Sequence, residues 1–226
     1  MNVTVITLTR DRKELTRRCL DSIRASGQRF RHIVIDQGSM DGTVEFVRQA
    51  HPTAEVVEAG ENLGISVGFN RGLELARDAD YVLTVDNDCE FITKRWLAKL
   101  IRAQKVLAAK DKRAVVSPRV KNLKHPPAVY AAYRGDGFTF GFAEILGGIC
   151  RLMPKSVARE FRFNERLPMA YGQDQQFAGW CQERSIPMAY VEDIIVRHMM
   201  TDDEQETAMP EYMRRKGFEL YIPYGL

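Results

Sequence analysis

The sequence predicts an α/β protein built on a doubly wound, mostly parallel sheet with helices on both faces. Short β-branched runs alternate with stretches in which apolar residues recur at helical spacing. This alternation is typical of parallel sheets, whose crossover helices cover both faces. With 226 residues of ordinary apolar content, the chain is long enough to bury one core, so we expect a single compact globule.

Four strand and helix units follow one another in the first part of the chain. Residues 3–8 form a β-branched run, and apolar residues at helical spacing follow over residues 15–23. The next units are a strand at 32–35 with a helix at 43–50, a strand at 55–58 with a helix at 66–76, and a strand at 81–85 with a helix at 96–109. Right-handed crossovers place the carboxyl ends of such strands at one edge of the sheet. Thr9, Asp36 and Asp86 are therefore expected to face one crevice.

The composition of the chain changes at Ser117 and Pro118, where glycine, aromatic residues and short apolar pieces become frequent. We therefore divide the chain into residues 1–115, residues 116–200 and a tail of residues 201–226. The tail mixes acids, bases and aromatic residues without a clear period, and it predicts no particular structure.

Cysteine usage and hydropathy bound the class of protein. The four cysteines form no Cys-x-x-Cys pair, which argues against zinc and a disulfide framework and favours a reducing cytoplasm. The apolar runs are far shorter than the ~20 residues that span a bilayer, and no secretory signal is visible.

The net charge is a mild +3, but basic residues cluster over 10–18 and 105–125. Such clusters are usually solvated helix faces, and they also suit contact with nucleic acid or an anionic membrane surface.

The acidic triplet Asp86, Asn87 and Asp88 follows a strand directly. Two carboxylates at a strand end can hold Mg²⁺ or Mn²⁺ against phosphate oxygens, which predicts a nucleotide or diphosphate substrate. The alternative is a polar turn that caps the next helix. The chain lacks a Gly-x-Gly-x-x-Gly spacing and a Walker lysine motif, so the dehydrogenase and kinase interpretations are weaker.

Residues 33–43, Ile-Val-Ile-Asp-Gln-Gly-Ser-Met-Asp-Gly-Thr, resemble the Val-Asp-Asp-Gly-Ser-x-Asp-Gly-Thr signature of the family 2 glycosyltransferases, which have the GT-A fold. The resemblance runs from Val3 to about His198. Further matches to the family occur in the family's order: Asn62 to Gly64 with Gly68 to Gly72, the triplet Asp86 to Asp88, Gly147 and Gly148 with Arg151, and Gly172, Gln173 and Asp174.

The resemblance implies transfer of one sugar, with inversion, from a nucleoside diphosphate sugar to an acceptor hydroxyl. Asp88 is then the direct ligand of a divalent metal, Mn²⁺ or Mg²⁺, and Asp86 orients the ribose or reaches the metal through water. His198 stands where some family members have a metal-ligating histidine, although a lone histidine is more often structural.

Asp174 is the candidate general base that accepts the proton of the acceptor hydroxyl. Its alternative role is a helix N-cap for residues 175–181, and the two roles are compatible. Gln173 replaces the usual Glu of this family motif, so the motif retains one carboxylate. Glu144 and Asp136 are fallback bases in the acceptor region.

The remaining expected contacts are with the nucleotide. Gln37 stands where the family often has a carboxylate that binds uracil, and its amide both donates and accepts, so uracil, thymine and guanine stay open with uridine preferred. Asp36 holds the base or ribose loop or forms an Asx turn. Thr7 and Thr9 are expected to contact the base and the ribose. The alternative is that they are present only because threonine favours β-strands. The pocket wall is assigned to Asn62, Gly64 and Asn70.

The resemblance assigns residues 1–115 to the nucleotide sugar and residues 116–200, with Gly147, Gly148 and Arg151, to the acceptor and base. The acceptor is either a surface glycan or lipid-linked saccharide, or a hydroxyl-modified base in nucleic acid. Aromatic residues near the acceptor region suit both, because bases and sugars both pack on aromatic rings. The alternatives are a non-catalytic nucleotide-sugar or nucleic-acid binding module and, more distantly, a sugar-phosphate nucleotidyltransferase. Peripheral membrane contact also stays open.

Overall fold

The computed structural model describes residues 1–123, 126, 128–167 and 172–200. Strands and helices alternate along this part of the chain. The strands are β1 (Val3–Thr9), β2 (Arg31–Asp36), β3 (Ala54–Glu58), β4 (Tyr81–Asp86), β5 (Cys89–Phe91), β6 (Val115–Lys121), β7 (Val129–Gly135), β8 (Phe138–Ala143), β9 (Cys150–Pro154) and β10 (Met188–His198). The helices are α1 (Lys13–Arg24), α2 (Thr43–Ala50), α3 (Gly64–Leu75), α4 (Trp96–Ala108), α5 (Lys155–Glu160) and α6 (Gln173–Glu183).

The first four strands form the parallel, doubly wound part of the sheet, as predicted. β1 pairs in parallel with β2 and with β4, and β2 pairs in parallel with β3. The chain therefore steps outward from β1 to β2 and β3 and then crosses to the other side of β1. This reversal creates a topological switch point between the carboxyl ends of β1 and β4, where α/β sheets bind their ligands.

The second part of the chain extends the same sheet beyond β4. The strand order is β3-β2-β1-β4-β9-β6-β10-β8-β7, and β5 pairs with β10 outside this path. β9 runs antiparallel to both β4 and β6, whereas β6 and β10 are parallel. One sheet therefore passes through both residues 1–115 and residues 116–200. The assignment of the first part to the nucleotide sugar and of the second to the acceptor stays a prediction. The predicted tail lies outside the described residues.

Burial explains why β1 carries an unbroken apolar and threonine run. All seven of its residues are buried, as expected for a central parallel strand covered on both faces by helices. On one face, α3 approaches β1 so closely that a Cβ added at Gly72 would lie 2.5 Å from Ile6 Cγ2. Glycine at this position therefore sets the helix-to-sheet distance. None of the helices in the described ranges combines the length and the apolar character needed to cross a membrane.

Candidate functional site

A cleft of about 680 Å³ opens at the switch point between β1 and β4. Most of the residues that the sequence singles out line this cleft. They are Thr9, Gln37, Asn62, Gly64, Asp86, Asp88, Gly148, Arg151, Asp174 and His198. Of the three strand-end residues predicted to face one crevice, Thr9 and Asp86 line this cleft, whereas Asp36 is buried and does not. Candidates from the nucleotide side and the acceptor side lie in the same cavity.

Asp86 ends β4 and is fixed in place by its backbone, whose N–H donates to the carbonyl of Ile149 at 3.0 Å. Burial raises the pKa of this carboxyl to about 7, and the negative charges of Asp88 and Asp174 add to the rise. Arg151 and His198 act in the opposite direction. The negative charge of Asp86 is therefore costly in the folded protein, and a bound cation would relieve that cost.

Asp88 lies beside His198 because β5 and β10 pair in register, with His198 opposite Cys89. The Nε2 atom of His198 is 3.4 Å from Asp88 Oδ2, and the backbone N–H of Met199 donates to the Asp88 carbonyl at 2.8 Å. The other carboxylate oxygen, Asp88 Oδ1, is buried and has no hydrogen-bond partner among the described residues. A buried oxygen without a donor is an expensive arrangement unless a ligand completes it.

These carboxylates fit a divalent metal ion. In the described ranges, no three His, Cys, Asp or Glu side chains are grouped as a complete protein cage for a metal. Mg²⁺ is usually held by one or two carboxylates together with substrate phosphates, and such a site needs no third acidic ligand. The unpartnered Asp88 oxygen and the raised pKa of Asp86 suit this kind of shared site.

Asn87 has a structural task that sequence reasoning missed. Its side-chain amide donates to Thr16 Oγ1 at 2.9 Å and to Thr9 Oγ1 at 3.3 Å. The two hydroxyls are 3.0 Å apart. Asn87 therefore ties the acidic triplet to β1 and α1. Its partner Thr16 lies 71 residues away in sequence, so no local pattern could have identified this contact.

Asp174 lies in the first turn of α6. The helix begins at Gln173 after Gly172, which has φ 88° and supplies the left-handed turn before the helix. The prediction of a helix starting at residue 175 with Asp174 as its N-cap was therefore wrong, because Gly172 occupies the cap position. Among the contacts of Asp174, its Oδ2 accepts a hydrogen bond from Gly148 N at 3.0 Å, and its Oδ1 forms a short ion pair with Arg151 Nη2.

Arg151 is a buried arginine, with 3% of its side chain exposed. Its guanidinium lies 4.7 Å from the ring centre of Phe177 and 6.0 Å from that of Phe163, and its Nε donates to the carbonyl of Gly147 at 3.3 Å. Gly148 completes the arrangement by lacking a side chain. A Cβ at this position would lie 2.8 Å from Asp174 Oδ1 and 2.9 Å from Arg151 Nη2.

Gln37 and Asn62 support the loop that enters α3. Gln37 Oε1 accepts from the Leu63 N–H at 3.1 Å, and Asn62 Oδ1 accepts from the Gly64 N–H at 3.0 Å. Gly64 has φ 83° and begins α3 two residues before the predicted start. These three residues shape one wall of the cleft, and their contact with a nucleotide stays a prediction.

Four of the predicted site residues, Thr7, Asp36, Asn70 and Gly147, are not part of the cleft lining. Thr7 is buried, with its hydroxyl 3.0 Å from His32 Nε2. The carboxylate of Asp36 accepts from the N–H groups of Gly38 and Ser39 at 3.1 and 3.0 Å, which is the Asx-type turn.

Asn70 and Gly147 also have structural partners. The side-chain amide of Asn70 donates to the carbonyl of Phe163 and accepts from its N–H, both at 2.8 Å. The carbonyl of Gly147 accepts from Arg151 Nε, and its N–H donates to the Tyr190 hydroxyl at 3.1 Å. The fallback bases Glu144 and Asp136 are not part of the lining either. Asn70 and Gly147 hold two residues of the lining, Phe163 and Arg151, and sequence reasoning did not separate such support from the lining itself.

The comparisons with known proteins show the family and the fold of the chain. Residues 4–162 match the model of glycosyl transferase family 2. The match extends over more than half of the chain, and the chain belongs to this family. A comparison with curated proteins finds no matching relative.

Solved structures share the fold at low sequence identity. A mannosyltransferase, PcManGT from Pyrobaculum calidifontis, in complex with GDP-Man and Mn²⁺, is 19% identical, with a TM-score of 0.69 over 89% of this chain and 57% of that one. TarS residues 1–349 from S. aureus are 17% identical, with a TM-score of 0.68 over 95% of this chain and 64% of that one. GalNAc-T7 with UDP, GalNAc and Mn²⁺ is 11% identical, with a TM-score of 0.68 over 89% of this chain and 44% of that one. The chain thus spans less than two thirds of the length of each of these proteins.

Proposed function

We propose that the chain is a metal-dependent, inverting glycosyltransferase that moves one sugar from a nucleoside diphosphate sugar to an acceptor hydroxyl. The observation that carries this proposal is one cleft with two kinds of carboxylate. Asp86 is buried with a raised pKa, and Asp88 has one oxygen without a hydrogen-bond partner among the described residues, whereas Asp174 is held by Arg151 and Gly148. Asp86 and Asp88 suit a metal ion that is shared with the diphosphate of the donor. Asp174 suits a proton acceptor in a fixed orientation.

On the donor side, Asp88 would hold the metal through its unpartnered oxygen, with Asp86 beside it and His198 against the other carboxylate oxygen. A divalent metal bound there supplies positive charge to the departing diphosphate. Asn87 keeps the triplet fixed against β1 and α1 through Thr9 and Thr16. The use of a metal is supported by two structures of similar fold, PcManGT and GalNAc-T7, which contain a nucleotide or nucleotide sugar with Mn²⁺.

On the acceptor side, Asp174 would take the proton of the acceptor hydroxyl. The acceptor oxygen forms its bond to the anomeric carbon while the bond from that carbon to the diphosphate breaks, and the proton passes to Asp174. Attack opposite the leaving group in one displacement inverts the configuration. Arg151 and the Gly148 N–H keep the carboxylate in one orientation, which is what a proton acceptor needs.

The acceptor is either a saccharide or a hydroxyl-modified base in nucleic acid. The basic cluster at 105–125 suits a polyanion, while a neutral saccharide needs no such charge. Binding of nucleic acid releases counterions, so its affinity falls steeply as salt rises, whereas saccharide affinity does not. Titrating each acceptor class at two salt concentrations therefore separates the two proposals.

The test of the function is a thermal-shift panel of UDP-, dTDP- and GDP-sugars, each with Mn²⁺ and with a chelator, followed by an assay for release of the nucleoside diphosphate. Binding to the folded state raises the melting temperature. The proposal expects a metal-dependent shift with a preferred donor and release of its diphosphate in the presence of an acceptor. A shift without release in a broad acceptor screen would favour a non-catalytic binding module. No metal-dependent shift with any donor would contradict the proposal.

A further inference from the structure

The loop that joins β1 to α1, residues 10–12, forms part of the cleft wall. It begins beside the acidic triplet, because Asn87 donates to the Thr9 hydroxyl that precedes the loop. In the sequence this loop is merely the start of a basic cluster. In the structure it brings two arginines, Arg10 and Arg12, into the lining of a cleft that also contains Asp86 and Asp88.

The loop has an unfavourable backbone conformation. Asp11 has φ 52°, and Arg12 has φ 57° with ψ 47°, so two successive residues other than glycine lie in the left-handed region. Residues with a Cβ avoid this region because the Cβ approaches the following carbonyl oxygen. Such conformations persist where the surroundings impose them, and they occur frequently in ligand-binding loops.

The neighbouring β2–α2 loop imposes the conformation through three hydrogen bonds. Asp11 N donates to Ser39 Oγ at 2.8 Å, Met40 N donates to Asp11 Oδ1 at 2.7 Å, and Lys13 N donates to Asp41 Oδ2 at 2.8 Å. These bonds fix the backbone on both sides of Arg12. The direction in which Arg12 leaves the backbone is therefore set before any ligand arrives.

The positive charge of Arg12 is not neutralised within the described part of the chain. Its guanidinium donates there to Met200 Sδ, and a thioether sulfur is a weak acceptor. The arginines farther along α1 differ, since Arg17 pairs with Glu14 and Asp21, and Arg18 pairs with Glu90. Arg12 is thus a cation of the cleft wall whose guanidinium meets no carboxylate within the described residues.

We propose that Arg12 binds the diphosphate of the nucleotide ligand, an inference that rests on the proposed function. A diphosphate carries more negative charge than one divalent metal shared with Asp86 and Asp88 can offset, so a cationic side chain in the same lining would stabilise it further. The planar guanidinium offers paired N–H donors that match phosphate oxygens, and it stays charged at all working pH values. Arg12 would hold the diphosphate both before transfer and as the leaving group.

The variant that tests this is Arg12→Asn. Asparagine tolerates the left-handed region better than most residues, so we expect the variant to keep the loop conformation while it removes the guanidinium. The chain contains a matched control in Arg95. Arg95 also precedes a helix, has φ 54° and ψ 33°, is exposed, and is not part of the cleft lining. Arg95→Asn therefore repeats the chemical change and the backbone effect away from the site.

The measurement is isothermal titration of wild type and both variants with UDP and GDP, with the matching nucleosides, and with inorganic pyrophosphate, all in Mg²⁺ buffer. Arg12→Asn should weaken binding of the diphosphates and pyrophosphate at least about tenfold, and Arg12→Lys should recover part of the loss. Nucleoside affinity should stay unchanged, and Arg95→Asn should bind every ligand as wild type does. Equal diphosphate affinity of Arg12→Asn and wild type would overturn the inference.

The same titrations separate this inference from the proposed function. If wild type binds UDP or GDP and Arg12→Asn binds it equally well, the role of Arg12 is wrong and the function stands. A third outcome is that wild type binds UDP and GDP no more tightly than pyrophosphate and that Arg12→Asn loses the binding of pyrophosphate. The phosphate role of Arg12 would then stand, and the nucleotide-sugar function would be wrong. If wild type binds none of these ligands, both are wrong.

Discussion

Asp88 and Asp174 both line the cleft, yet the protein surrounds these two aspartates in opposite ways. Asp88 has a buried oxygen without a hydrogen-bond donor among the described residues, and it lies near another carboxylate whose pKa is raised. Asp174 is paired with the buried Arg151 and accepts a hydrogen bond from Gly148 N. Asp88 thus keeps an oxygen that a cation could occupy, whereas Asp174 is already paired with a cationic side chain.

The largest expected effect follows from removing the charge of Asp88. Asp88→Asn keeps the shape of the side chain, so we expect nucleotide binding to lose its metal dependence and sugar transfer to fall at least about a thousandfold. Without ligand, the free energy of unfolding should stay the same or rise, because the charge repulsion with Asp86 is relieved. Urea unfolding without ligand and titration with Mn²⁺ and nucleotide check the two parts. Metal-dependent affinity equal to that of wild type would show that Asp88 does not hold the metal.

Asp174→Asn should produce the contrasting result. Transfer should fall by a factor of about 10² to 10⁴, as expected on loss of a general base, while nucleotide affinity stays close to that of wild type. The unfolding free energy should fall by about 1 to 2 kcal/mol, because Arg151 loses its anionic partner in a setting that water partly screens. Steady-state kinetics, nucleotide titration and urea unfolding measure these effects. Undiminished transfer would exclude Asp174 as the base.

Two adjacent glycines test how tightly the Asp174 arrangement is packed. Gly148→Ala should lower the unfolding free energy by about 2 kcal/mol and reduce transfer, because its Cβ would lie 2.8 Å from Asp174 Oδ1. Gly147→Ala is the matched control, since nothing lies within 4 Å of its added Cβ, and its stability should change by less than about 0.5 kcal/mol. Thermal and urea unfolding of both variants decide the matter. Equal effects at the two glycines would contradict the tight packing proposed around Asp174.

His32 extends the comparison to a buried base on the nucleotide side. Burial, with a smaller contribution from His51, lowers the pKa of His32 from its ordinary value of 6.5 to about 3. As the pH falls below 6.5, the unfolded chain binds a proton at His32 and the folded protein does not. The contribution of His32 to the free energy of unfolding is therefore present above pH 6.5 and is lost progressively below it. The slope should increase from about 1.0 kcal/mol per pH unit at pH 6 to about 1.3 at pH 5.

The measurement for His32 is urea unfolding of wild type and His32→Gln from pH 5 to 8. The variant should have a flatter profile below pH 6.5, and the two profiles should run parallel between pH 7 and 8. Identical slopes below pH 6.5 would mean that His32 does not titrate as its burial requires.

The smallest effect concerns Asn87, which connects the acidic triplet to Thr9 and Thr16. Asn87→Ala removes two hydrogen bonds, and we expect a loss of about 1 kcal/mol in unfolding free energy. Nucleotide affinity should fall a few-fold, since Asp86 and Asp88 become less firmly placed. Urea unfolding and nucleotide titration measure both changes, and an unaltered affinity would show that the triplet is held sufficiently by β4 and β5.

Local patterns predicted the parts of the fold that depend on neighbours in sequence. The strand β4 and the acidic triplet after it were found because a β-branched run ends in carboxylates, and α2 was predicted with the observed limits, Thr43–Ala50. The start of α6 was misplaced because Gly172 adopts a left-handed conformation that the sequence alone does not fix. Periodicity carries no information about such a turn.

Contacts between distant residues could not be predicted in the same way. The pairing of Arg151 with Asp174 depends on the position of β9 relative to α6, and the role of Asn87 depends on a helix 71 residues earlier. The backbone of Asp11 and Arg12 is set by hydrogen bonds from Ser39, Met40 and Asp41. Each of these features arises when the folded sheet brings separate loops together at its carboxyl edge.

The most direct test of the division between the two carboxylates is urea unfolding of wild type, Asp88→Asn and Asp174→Asn, each with and without Mn²⁺ and a nucleoside diphosphate. Without ligand, Asp88→Asn should be at least as stable as wild type, and Asp174→Asn should be less stable. With ligand, wild type and Asp174→Asn should gain stability, whereas Asp88→Asn should gain almost none. Equal gains in all three proteins, or a loss of stability in Asp88→Asn without ligand, would contradict the account.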